Sequence, residues 1–155
     1  MSTVPTLNGQ IIGQAHYATR ALLERAVTPL GISFGHALTL NALAAGTIER
    51  TGLVHRITST LKIDESAAHT LITQLVDAGL ARPDDQTDAP RVRLTDAGHA
   101  VQGRVADAVA GLTTRLYGDL PADETNAAAR VLALVTQRAN AELAAIAADA
   151  VAGQK

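Results

Sequence analysis

The side chains best suited to a chemical or binding role are the polar ones of segment 64–79. Apolar residues recur there at Ala68, Leu71, Ile72 and Leu75, the spacing of one helix face. The opposite face carries small and hydrogen-bonding residues: Ser66, Ala67, His69, Thr70, Thr73 and Gln74. Hydroxyls and amides of this kind can bond to base edges in DNA, and Gln74 has the donor and acceptor that match adenine. The alternative is an ordinary solvated helix face.

Other chemistries find little support in the residue types. The sequence has no cysteine, which excludes disulfides and thiolate sites, and its five histidines (16, 36, 55, 69 and 99) show no zinc-ligand spacing. No glycine-rich phosphate loop is present, and the serines lack the strand–turn–helix context of a nucleophile. We therefore expect no enzyme activity, no metal and no cofactor.

The polar face belongs to the second of two short helices. The first is predicted over residues 53–61 and the second over residues 65–78, with Asp64 as its N-cap and Gly79 at its end. Two short helices joined by a tight turn predict a helix-turn-helix.

A β-hairpin is predicted directly after this motif. Residues 80–83 form an apolar stretch ended by Pro83, residues 84–90 are rich in turn formers, and residues 91–95 alternate polar and apolar side chains. Such a hairpin makes the motif a winged helix-turn-helix, in which Arg91 and Arg93 are expected to contact phosphate or the minor groove.

Long helices flank this lobe. Helical periods cover residues 7–27, a shorter stretch at 36–45, a fifth helix capped by Thr95 or Asp96, and a last helix at about 122–150. The predicted fold is mainly α with a small β-hairpin wing (α+β) in a single domain, 1–155. Residues 33–98 form the DNA-binding lobe, and 7–28 with 99–150 form a helical dimerisation region whose apolar surplus predicts a homodimer.

Composition agrees with a helical protein that has a core of small aliphatic residues. The 155 residues are 47% hydrophobic but only 2% aromatic, and the net charge is −2. No apolar run is long enough for a membrane span, and the residues after Met1 lack a secretory signal, so we expect a cytoplasmic location.

Several of these segments resemble the MarR (multiple antibiotic resistance regulator) family of bacterial transcription regulators. The matching segments are Leu30-Gly31-Ile32-Ser33, Leu53 to Ile57 with Leu61 to Asp64, Leu71 to Leu80, and Leu94-Thr95-Asp96-Ala97-Gly98. The resemblance implies a homodimer that represses transcription from a short inverted repeat of double-stranded DNA. It also implies release by a small aromatic or phenolic effector near the junction of the two regions, where the candidate contacts are His16, Tyr17, Phe34, His36 and Tyr117.

The sequence also departs from the family pattern. Thr70, Gln74 and Asp88 stand where the family usually has arginine, and Lys62 stands where it commonly has glycine. Residues 50–95 contain six Lys or Arg and six Asp or Glu, so this segment carries no net charge apart from histidine. The alternative function is therefore a winged-helix module that has lost or weakened DNA binding and binds a protein or a small molecule.

Overall fold

The computed structural model describes residues 3–86 and 88–154. In chain order its elements are α1 (Gly9–Val27), a 3-10 turn (Thr28–Leu30), α2 (Phe34–Leu43), β1 (Ile48–Glu49), α3 (Arg50–Leu61), α4 (Glu65–Asp77), β2 (Ala81–Asp84), β3 (Arg91–Leu94), α5 (Asp96–Tyr117) and α6 (Ala122–Ala152). Met1, Ser2, Lys155 and Thr87 of the predicted turn lie outside the described residues. No helix within the described ranges is long and apolar enough to cross a membrane.

The helix-turn-helix is confirmed, and its turn has a clear local cause. Asp64 accepts a hydrogen bond from the Ala67 backbone N–H at 2.7 Å, which fixes the start of α4. Lys62 ends α3 in the left-handed conformation, with φ of +55°, at the position where the family commonly has glycine. α3 begins at Arg50, three residues before the predicted start.

α2 begins at Phe34, two residues earlier than predicted. Ser33 is its N-cap and accepts a hydrogen bond from the His36 N–H at 3.2 Å. The His36 ring reaches back and accepts the Ser33 N–H at 3.0 Å, so the two residues form a capping box. His36 is therefore the third residue of α2 and lies within its first turn.

The hairpin is present, but Pro83 does not end its first strand. β2 runs to Asp84, and Pro83 pairs with Val92 in the antiparallel register. The strand order is β1-β3-β2, so β2 lies at an edge, where a residue without an N–H is tolerated. The short strand β1 was not predicted, because two residues cannot show a period. It pairs Ile48 with Val92 on the other side of β3.

One hydrophobic core lies between α2, α3, α4 and the sheet. Its most buried large side chains include Leu40, Leu43, Leu53, Ile72, Leu75 and Val92. The first part of α5 joins this core through Val105, which has no exposed surface. Leu71, predicted on the buried face of α4, is only partly buried.

Thr95 and Gly98 lock the start of α5 against the end of α4. The Thr95 hydroxyl donates to the Gly79 carbonyl at 2.6 Å and accepts the Gly98 N–H at 3.0 Å. A Cβ at position 98 would overlap the Leu80 carbonyl oxygen, so only glycine fits this approach. The Leu94-to-Gly98 segment thus has a packing function.

The chain divides within α5 into two compact units, the first ending at Leu112 and the second beginning at Thr113. The second unit contains the end of α5 and all of α6, and no described residue of α6 is buried.

Candidate nucleic-acid interface

The outward face of α4 is uncharged at its centre. Ala68, Ile72 and Leu75 are buried, which turns Ser66, Thr70 and Thr73 to the solvent. The Thr70 hydroxyl donates to the Ser66 carbonyl at 3.0 Å, so its remaining hydrogen-bonding capacity is as an acceptor. Ala67 is partly buried and lies beside a groove described below. This face can bond to base edges but neutralises no phosphate.

At each edge of this face, a side-chain hydrogen bond that involves a histidine joins α4 to another helix. On one side the His36 ring Nε2 lies 2.7 Å from the Gln74 side-chain oxygen, which joins α2 to α4. On the other side the Arg50 Nε donates to His69 Nδ1 at 3.2 Å, which joins the start of α3 to α4. Gln74 and His69 are therefore exposed, but each has a partner on another element that orients its side chain. Neither contact has a local sequence signal.

The arginines of β3 stand in two different electrostatic settings. Arg91 pairs in register with Glu49 of β1 and Asp84 of β2, so carboxylates stand opposite it on both neighbouring strands. Arg93 pairs with Arg82 of β2, so two positive charges stand directly opposite each other. Like charges in this position repel unless an anion lies near them. Positive charge on the sheet that has no carboxylate opposite it is therefore concentrated at Arg82 and Arg93.

Arg82 and Arg93 also line a polar concavity of about 350 Å³ at the base of the hairpin, together with Gly79, Leu94, Thr95, Asp96 and Ala97. The Nε atoms of Arg91 and Arg93 are buried and have no hydrogen-bond partner in the described structure. The sequence indicated Arg91 and Arg93 as candidate DNA contacts but did not indicate Arg82. The signal for Arg82 is the antiparallel register of the hairpin, which places it opposite Arg93.

The described part of the wing tip is acidic. Asp84, Asp85 and Asp88 lie in or beside the turn, and the Gln86 N–H approaches the Asp84 carboxylate at 3.4 Å. These carboxylates repel phosphate, so the wing tip is unfavourable for contact with the phosphate backbone of a nucleic acid. The base of the hairpin, which carries Arg82 and Arg93, is more favourable for such a contact.

A groove of about 490 Å³ lies beside the N-terminal half of α4, between α1, α2 and the end of α3. Its lining residues are Arg20, Glu24, Ser33, Phe34, Gly35, Leu61, Ile63, Ala67, Thr70 and Leu71. The Arg20 guanidinium lies 4.7 Å from the centre of the Phe34 ring and forms an ion pair with Glu24 at 2.9 Å. The groove thus offers an aromatic face, a cation and an apolar floor.

The five predicted effector contacts are not brought together by this groove. Phe34 lines it, whereas His36 is occupied by the capping box and Gln74. His16 and Tyr17 form a tilted ring pair on α1, with ring centres 5.5 Å apart, and Tyr17 is 71% exposed. Tyr117 lies in the second unit and is 50% exposed. Among the residues described, no three His, Asp or Glu side chains are arranged to hold a metal ion.

No protein-family model and no curated protein matches this sequence. Solved structures do match it. The oxidised form of MarR from E. coli aligns with a TM-score of 0.65 at 23% identity, covering 86% of this chain and 96% of that one. The chain has the MarR fold. The resemblance seen in the sequence is thereby confirmed for the fold, with its winged helix and small antiparallel sheet.

Two further structures of the MarR fold carry bound molecules. A mutant E. coli MarR complexed with operator DNA aligns with a TM-score of 0.68 at 23% identity, covering 82% of this chain and 91% of that one. CouR from Rhodococcus jostii, bound to p-coumaroyl-CoA, aligns with a TM-score of 0.71 at 17% identity, covering 83% of this chain and 90% of that one.

Proposed function

We propose that this chain is a ligand-responsive transcription regulator that binds a short inverted repeat in DNA as a homodimer and acts as a repressor. The observation that carries the proposal is the outward face of α4, an exposed row of hydroxyl and amide groups held on both flanks, in a MarR fold. The E. coli MarR variant of the same fold is complexed with operator DNA. α4 is the element that enters the major groove, and the base of the hairpin supplies cations to the backbone.

The homodimer is proposed because α6 and the N-terminal segment that includes α1 expose apolar side chains. Leu143 and Ile146 of α6 are 52% and 64% exposed, and Leu7, Ile11 and Leu22 at the N-terminal end of the chain are also exposed. Contiguous apolar surface of this kind on a soluble protein marks a contact with a partner, and we propose that a second copy of the chain covers it. Two copies related by a two-fold axis present two α4 helices to successive turns of DNA, about 34–36 Å apart.

The groove beside α4 is the proposed effector site. Two of its lining residues, Ala67 and Thr70, belong to the outward half of α4, so a molecule bound there touches the recognition helix directly. Phe34 and Arg20 suit a small aromatic acid. Titration with p-aminosalicylic acid, which is bound in a mycobacterial structure of this fold, tests the site. Saturable binding that Phe34→Ala weakens supports the site, and equal binding by both proteins contradicts it.

Fluorescence anisotropy on labelled duplex from upstream of the chain's own gene tests DNA binding. The duplex and a scrambled control are compared at two salt concentrations. Selective, saturable binding that weakens with salt supports a regulator, because phosphate contacts release counterions.

A different role is favoured by the acidic wing tip and the balanced charge of residues 50–95: a winged-helix module that binds a protein or small molecule. Absence of binding to a duplex pool of random sequence at low salt would support it over the regulator.

A further inference from the structure

The His36 ring occupies a position that links the start of α2 to the recognition helix. Its Nδ1 accepts the Ser33 backbone N–H at 3.0 Å, and its Nε2 lies 2.7 Å from the Gln74 side-chain oxygen. A single ring therefore serves a helix cap and a residue of the outward face. Gln74 makes no other side-chain hydrogen bond to a described residue, so this contact decides its orientation.

The cap determines which atoms of the pair donate and accept. A backbone N–H can only donate, so Nδ1 of His36 must be the unprotonated nitrogen. In the neutral ring the proton then lies on Nε2, which donates to Gln74. Only the oxygen of the Gln74 amide can accept that proton. The amide oxygen therefore points to α2, and the NH₂ group is left to the solvent.

An unrestrained glutamine can turn its amide over and present either an oxygen or an NH₂ group to a base. Gln74 is restrained to present the NH₂ group, which bonds to acceptors such as purine N7, guanine O6 and thymine O4. Cytosine presents a donor in the major groove and is rejected by an NH₂ group. We propose that His36 is a positioning residue that sets base selectivity through Gln74, by excluding cytosine from the base position facing that amide. This inference rests on the proposed function.

The experiment first selects preferred duplexes from a random pool with the wild-type protein. Dissociation constants are then measured on the selected duplex and on variants with each single base replaced. The wild type is expected to lose about two- to tenfold in affinity when cytosine faces Gln74, the equivalent of one hydrogen bond. The loss occurs at one position per half-site.

His36→Glu separates the two roles of the ring. A glutamate at the third position of a helix accepts the N-cap N–H in the standard capping box, so the start of α2 is retained. A carboxylate has no proton to donate to Gln74, so the amide oxygen of Gln74 is no longer held towards α2. We expect H36E to accept cytosine at that one position almost as well as the preferred base, with the relative discrimination at all other positions unchanged. Continued rejection of cytosine at that position, or an equal loss of discrimination at every position, would overturn the proposal.

Gln74→Glu provides a second variant that does not touch the cap. A carboxylate bonded to His36 still presents an acceptor oxygen to the base, so Q74E is expected to prefer cytosine where the wild type rejects it. Continued rejection of cytosine by Q74E contradicts the proposal even if H36E does not fold. If the wild-type protein selects no sequence at all, the proposed function itself fails, whereas unchanged selectivity in the variants removes the His36 inference alone.

Discussion

At the scale of single residues, the arginines of the sheet differ in what stands opposite them. Arg91 has a carboxylate in register on either side, whereas Arg93 faces Arg82. Equal formal charges therefore do not give equal attraction for a polyanion. The sequence alone treats Arg91 and Arg93 as alike, because strand register is not visible in a single stretch of residues.

This difference predicts unequal effects on DNA affinity. Arg93→Ala and Arg82→Ala should each weaken binding to all sequences by a similar factor. Each should also reduce the slope of log affinity against log salt by about 0.9 if one phosphate contact is lost. Arg91→Ala is the matched control from the same strand and should change both quantities less. Anisotropy titrations over a salt series measure them. A loss in R91A as large as that in R93A would show that the register does not govern the contacts.

The exposure of the candidate residues on α4 could be predicted from the sequence, but their contacts could not. The spacing of Ser66, Thr70 and Thr73 opposite an apolar stripe is a local pattern, and these residues are exposed in the structure. The partners of His69 and Gln74 lie far away in the sequence, on other elements. Only the tertiary structure brings such residues together, so no local period could reveal them.

At the scale of elements, the start of α5 shows how closely two segments approach. Gly98 lies against the Leu80 backbone, while Gly103, one and a half turns further along the same helix, has open space where a Cβ would stand, with no neighbouring atom within 4 Å. Two glycines in one helix thus have opposite requirements, although the sequence does not distinguish them.

Gly98→Ala and Gly103→Ala form a matched pair for this contact. Gly98→Ala should lower the free energy of unfolding by about 1–3 kcal/mol, because the methyl group overlaps the Leu80 carbonyl. Gly103→Ala should raise it by about 0.5–1 kcal/mol through helix propensity. Urea unfolding monitored by circular dichroism measures both. A tolerated G98A would mean that the start of α5 can move away from β2 without cost.

The sequence predicted the long elements and missed what depends on pairing. Helical periods located every helix to within a few residues, since an amphipathic stripe is a property of the sequence itself. β1 was missed because two residues carry no alternation, and Pro83 was misjudged because its tolerance depends on the strand being at an edge.

At the scale of the whole molecule, the proposed assembly depends on the apolar stripe of α6. Val135, Leu143 and Ile146 fall on one side of this helix and are all exposed. Gln137 lies on the opposite side by the same periodicity. The stripe is the surface that a second copy is proposed to cover.

Leu143→Glu is expected to shift the protein from dimer to monomer, because it places a charge in an apolar contact. Gln137→Glu adds the same charge to the polar side of α6 and should leave the dimer intact. Sedimentation velocity at several protein concentrations distinguishes the two. A wild-type monomer at all concentrations, or equal behaviour of both variants, would refute the proposed assembly.

The pairing of β1 with β3 also constrains the order of folding. The helix-turn-helix lies between these two strands in the chain, and the Arg50 N–H donates to the Pro90 carbonyl at 2.8 Å where they meet. Closing this loop costs chain entropy that is repaid only after the intervening helices have collapsed. We therefore expect α4 to form before β1 pairs with β3, and we expect the backbone amide of Arg50 to gain protection from hydrogen exchange last during folding.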